Sequence, residues 1–159
     1  RLCLVGSCLT PGCRKFCTNS MPRSSQNDTL LTSATGEYLV AAELAQRGWQ
    51  VCMSPHQPSF DIAAVKGRKV QRIQIKTCSK PAIEPGKQVG RYSFFPKCRN
   101  TNDLYTKEEC DFLVFVGLEH RAYFVLPVEA AKVTKYNWAP GQPECYLAPY
   151  LQAWQLLEK

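Results

Sequence analysis

Two runs with strand alternation, residues 59–65 and 70–77, are joined by Lys66-Gly67-Arg68-Lys69. Gly67 as the first of two central turn residues fits a type II′ hairpin, and that turn fixes how the two runs face each other. Lys66 then faces Lys69, and counting back sets Asp61 opposite Gln74. Directly opposed residues share a face, with Cβ atoms about 5 Å apart. Alternation adds Lys76 to that face and gives the other one to Phe60, Ile62, Ala64, Ile73 and Ile75. The hairpin predicts one apolar surface to bury and one that gathers an acid, an amide and an ammonium.

A helix is expected immediately upstream, reading from Gly36-Glu37 through Arg47-Gly48-Trp49, with Thr32 or Ser33 as cap and Gly48 as the stop. Val40, Ala41 and Leu44 follow Glu37 at the offsets that place them on one stripe, so Glu37 shares the buried side. On its own, such an acid is equally a partner for the helix dipole. Residues 50–53 read as a short strand and residues 91–95 as another. Residues 111–116 carry the strongest buried-strand pattern, paired with residues 121–126 across Gly117-Leu118-Glu119-His120. Pro127 ends that strand, and short helices are expected over residues 128–133 and 149–158. Trp138, Trp154 and Leu156 are expected to close the core or form a subunit contact.

The chain has 159 residues, enough for one core, with a net charge of +7 that favours a polyanionic partner. No apolar run approaches the roughly 20 residues that span a bilayer. Its 9 cysteines form no Cys-x-x-Cys pair, which argues against a structural zinc site and for reduced thiols in an intracellular, cytoplasmic protein. Neither His56 nor His120 has a partner at a zinc spacing. Cys3, Cys8, Cys13 and Cys17 crowd a stretch without an acid, after which Met21 opens a polar leader. The organisation expected is a disordered or non-native leader over 1–28, with Met21 as the natural start, followed by one domain over 29–159.

Asp61 and the Gln74 carbonyl oxygen are hard donors, Glu37 is a third, and Lys76 lies beside them. Such a set can hold a divalent cation against a phosphate while the ammonium faces developing negative charge. The alternative is a polar strand face with a satisfied Asp–Lys pair.

The order of helix Glu37, strand Asp61, then Gln74-Ile75-Lys76 resembles the PD-(D/E)xK nuclease superfamily in its Gln-x-Lys variant. The segment Gly36-Glu37 through Gly48-Trp49 is similar to the opening of the small group I intron-encoded homing endonucleases of that superfamily. Archaeal Holliday junction resolvases are a more distant likeness. The likeness runs over residues 33–128. It implies an α/β, restriction-endonuclease-like core, α-β-β-β with further strands and helices, in which an N-terminal helix packs on a mixed sheet. It also implies Glu37, Asp61, Gln74 and Lys76 as the active-site set, with Glu37, Asp61 and Gln74 holding Mg²⁺, for which Mn²⁺ can substitute. The activity implied is cleavage of double-stranded DNA, by a homo-oligomer (dimer or tetramer) because one such domain cuts one strand. Two departures stand out: Phe60, not proline, precedes Asp61, and neutral Gln74 replaces a third acid. Asp111 and Tyr105 match a further acid and aromatic of these nucleases and are expected to be structural or to stand behind the site residues without touching the metal. Lys66, Arg68, Lys69, Arg72 and Lys80 are the expected contacts to the DNA backbone, with Lys87, Arg91, Lys97 and Arg99 continuing the basic run. A resolvase or repair nuclease, and a non-catalytic DNA-binding module on the same fold, are the alternatives.

Overall fold

The computed structural model describes residues 26–54, 59–98, 101–142 and 145–159. A helix, α1 (Gln26–Gln46), leads into strands β1 (Gln50–Met53), β2 (Ile62–Lys66) and β3 (Lys69–Cys78). Then come β4 (Tyr92–Phe94), β5 (Phe112–Gly117), β6 (Ala122–Pro127) and β7 (Tyr136–Trp138), with single 3₁₀ turns at Val128–Ala130, Ala148–Tyr150 and Trp154–Glu158. Five strands form a mixed sheet in the order β1-β2-β3-β5-β6, in which only β3 and β5 run parallel. β4 and β7 make a separate antiparallel ribbon.

The hairpin register is the one the turn dictates. Lys66 pairs with Lys69 and Ile62 with Ile73, and Gly67 takes φ +62°, a value that costs glycine little. β3 then continues past the start of β2 to pair with β5 as far as Cys78 and Gly117. β5 and β6 are buried along nearly their whole length, because both faces of the sheet are covered. One cluster joins Val40 and Leu44 of α1 to Ile62, Ala64, Ile73, Ile75, Val114 and Trp154. The other, on the opposite face, joins Leu113, Phe115 and Phe124 to Tyr92, Phe94 and Tyr136 of the ribbon.

Several expectations are corrected. α1 starts at Gln26, well before Thr32 or Ser33, and Gly48 at φ +80° follows its end. Its early turns carry exposed Leu30 and Leu31 and no apolar stripe, so periodicity gave no signal there. The expected leader falls almost wholly outside the described residues, and Gln26 to Asp28 belong to the helix. Phe60 packs on the ribbon side and not with Ile62, since β2 begins at Ile62 and alternation stops there. The terminal helices are single 3₁₀ turns, and β7 was not foreseen. Of the cysteines, Cys52, Cys78, Cys98, Cys110 and Cys145 are described and are free thiols. His56 and Arg99 lie outside the described residues.

Helix and sheet approach closely at Gly36. A Cβ there would lie 1.9 Å from the Thr77 hydroxyl oxygen and 2.9 Å from the Thr77 Cβ. Gly36→Ala is therefore expected to cost about 1–3 kcal/mol as overpacking, measured by denaturant unfolding. Adding Thr77→Ala should recover only part of it, because the Cβ contact remains.

Candidate active site

The site forms where β2 ends and β3 runs on. Asp61 sits just before β2, and its main-chain N–H still donates to the Ile73 carbonyl at 2.9 Å. Beyond that point β3 lacks β2 as a partner, and the Asp61 side chain takes over. Its Oδ2 accepts from the Ile75 main-chain N–H at 2.7 Å and from Gln74 Nε2 at 2.6 Å. Gln74 is the one buried polar residue among the described residues, and its Nε2 also donates to the Ile75 carbonyl at 3.2 Å. With the amide nitrogen spent on protein acceptors, the carbonyl oxygen is the end left to meet a ligand.

Lys76 lies two residues further along the same face of β3. Its Nζ donates to the Tyr105 hydroxyl at 3.1 Å and stands 4.8 Å from the centroid of that ring. Tyr105 is buried, and burial, reinforced by the charges of Cys98 and Asp61, raises its pKa and keeps it a neutral phenol. Glu37 reaches the site from α1, one residue after the close approach at Gly36.

Both acids are disturbed, and Glu37 feels the charge of Asp61. Burial raises the pKa of Glu37, and the Asp61 carboxylate raises it further. Burial also raises Asp61, against the lowering effects of the Ile75 N–H and the Lys76 charge. Two hard carboxylates forced together, beside an amide oxygen, form a donor set that a hard divalent cation would relieve. Among the described residues no group of three or more His, Cys, Asp or Glu is placed to hold a metal, so any ion here depends on the amide as well.

The residues expected along a DNA backbone are scattered. Lys66 Nζ binds the Arg47 carbonyl at 3.0 Å and Glu158 Oε1 at 2.6 Å, and Lys69 binds the Glu158 carbonyl at 2.5 Å. Arg72 is built into the protein. Its Nε and main-chain N–H reach Asp111 Oδ2 at 3.2 and 2.9 Å, and its terminal nitrogens reach the carbonyls of Glu108 and Lys107, both at 2.6 Å. Arg68 is exposed at the hairpin tip, roughly 20 Å from Lys76 at the usual strand rise. Lys80 is exposed beyond the end of β3, on the side of the site. Of the two roles expected for Tyr105, structural or supporting the site residues, its contact with Lys76 fits the second, though the loop that brings it there follows a path local pattern does not encode.

An α/β chain with a helical acid set against an acid, an amide and a lysine on a β-hairpin is the class the geometry defines. No protein-family model and no curated protein matches it. Among solved structures, the bacterial homing endonuclease I-Ssp6803I shares the fold, with a TM-score of 0.66 over 81% of this chain and 90% of that one, at 20% identity. Among the described residues no helix is long and apolar enough to cross a membrane.

Two outcomes are expected. With both pKa values raised in the folded state, the protein binds more protons folded than unfolded between the ordinary and the raised values, so stability falls as pH rises through that window. Glu37→Gln removes one carboxylate and should raise the melting temperature in chelator at neutral pH. Arg72→Ala should have the opposite effect, losing about 2 kcal/mol at neutral pH by leaving Asp111 the main-chain N–H but no guanidinium. Burial pulls the Asp111 pKa up, but the Arg72 bonds hold it below the usual range overall. The Arg72→Ala deficit should therefore shrink as pH falls and Asp111 protonates, read from melting curves across pH.

Proposed function

We propose that this chain is a Mg²⁺-dependent endonuclease of the homing type that hydrolyses phosphodiester bonds of double-stranded DNA. One observation carries the reading: Glu37, Asp61, Gln74 and Lys76 meet at one point of a fold shared with a homing endonuclease. Glu37, Asp61 and the Gln74 carbonyl oxygen would hold the cation. The ion, when bound, would supply Lewis-acid neutralisation of the scissile phosphate.

The protein groups do the rest. Asp61 is held on the edge of β3 by Ile75 and Gln74, so its position is set before any ligand arrives. The Lys76 ammonium, aimed by Tyr105, steadies the attacking water and the negative charge that grows on the phosphoryl oxygens. One such centre cuts one strand, so the active form is a homo-oligomer, a dimer or tetramer. The net charge of +7 assists capture of the polyanion.

Nicking of supercoiled plasmid, four-way-junction DNA and a gene-rich DNA pool tests the reading, in Mg²⁺ and in chelator. Wild type is expected to cut in Mg²⁺ alone, and Lys76→Ala to lose about 100-fold or more in rate. Mg²⁺ should raise the melting temperature of wild type more than that of Glu37→Gln. Equal cutting in chelator would sink the metal-dependent reading. A marked preference for junctions would move it to a resolvase, and binding without any cutting to a non-catalytic module.

A further inference from the structure

The ribbon β4–β7 buries one face and leaves the other to solvent. Tyr92, Phe94 and Tyr136 point inward, with Phe94 stacked on Phe115 of the main sheet at 5.0 Å between centroids. The register pairs Ser93 with Asn137, and both side chains are on the outer face. There Ser93 Oγ donates to Asn137 Oδ1 at 2.9 Å, which orients the amide and leaves its –NH₂ group turned from Ser93. Phe95 continues this face one step past β4 with 52% of its surface exposed. Lys135 stands before β7, its Nζ 5.9 Å from the Phe95 ring centroid and 3.8 Å from Glu84.

This face is continuous with the candidate active site. Lys76, Phe95 and Lys97 line one open cleft of roughly 660 Å³. A nucleic acid with a phosphate at Lys76 would have Phe95 and then the ribbon next along that cleft. Two strands about 4.8 Å apart, with their side chains, fit a major groove about 12 Å wide. An oriented amide is the side chain that pairs bidentately with adenine, an exposed phenyl ring is apolar surface for a thymine methyl group, and lysines at the margins meet phosphates.

We propose that the outer face of β4–β7 enters the major groove next to the scissile phosphate and reads sequence there. Asn137 reads a base, Phe95 contacts a neighbouring thymine, and Lys97 and Lys135 hold flanking phosphates. The proposal rests on the nuclease reading and adds to it the substrate preference, an adenine- and thymine-containing duplex step beside the cut.

The test is selection of bound and of cut molecules from a randomised duplex DNA library by wild type, Asn137→Ala, Phe95→Ala and Lys97→Ala, with Mg²⁺-dependent nicking measured alongside. Wild type should enrich a motif, and Asn137→Ala should flatten it roughly ten-fold at one base pair, the discrimination one bidentate contact supplies. Phe95→Ala should act at an adjacent position, whereas Lys97→Ala should weaken all sequences alike. Asn137→Asp retains an acceptor for Ser93 and should shift preference towards cytosine; it serves if the alanine variant does not fold. A motif unchanged in Asn137→Ala, Asn137→Asp and Phe95→Ala would overturn the proposal and leave the nuclease standing. Mg²⁺-dependent nicking with no enriched motif would do the same. Neither binding nor nicking by wild type would overturn both.

Discussion

A strand that stops short leaves main-chain hydrogen-bonding groups that water or a side chain must satisfy, and at Asp61 that requirement and the chemistry of the site coincide. Where β2 gives out, the Asp61 carboxylate takes the Ile75 N–H that a longer strand would have taken. The same oxygen fixes Gln74, and strand alternation sets Lys76 on the face that Gln74 shares. A carboxylate in that place is both an edge cap and a charged group beside Gln74 and Lys76. Replacing it with an apolar residue would therefore expose an orphan donor as well as remove a charge.

The helix supplies the opposing demand. Glycine at position 36 lets α1 descend onto Thr77 until a Cβ could not be accommodated, and the next residue is the acid. Close approach serves packing, since Val40 and Leu44 reach the sheet by it. It also brings Glu37 near Asp61: burial disfavours ionisation of both, and the Asp61 charge adds to the penalty on Glu37. Local rules would not choose this arrangement for stability. Such conflicts between packing and charge concentrate where proteins bind and react.

Much of this was legible in the residues. The register followed from a two-residue turn with Gly67 at its first position, because turn length and side-chain period leave no freedom. β5 was legible because an unbroken apolar run buried on both faces needs no partner to be recognised. Other features were not. Tyr136-Asn137-Trp138 is too short for periodicity to separate a strand from a loop, and its strand character comes from pairing with β4. Arg72 looked like part of a basic patch, and only the fold brings Asp111 and two carbonyls around it. Sequence gives the sign of a charge but not its neighbours, so basic residues were the least reliable guide to the site.

The two faces of the sheet divide the work. On the helix face, α1 and the last 3₁₀ turn close one core and carry Glu37 to its place. On the other face, the ribbon closes a second core with stacked aromatic rings, and Lys76 emerges at its margin beside Tyr105. Asp61, at the break between strands, is reached from both sides. The helical carboxylate and the lysine are thus fastened to separate cores. The ribbon, anchored through Tyr92, Phe94 and Tyr136, keeps its outer residues free to vary without disturbing that geometry. The outer face of the ribbon and the charged centre can then change independently, because the side chains that set one are not the side chains that hold the other.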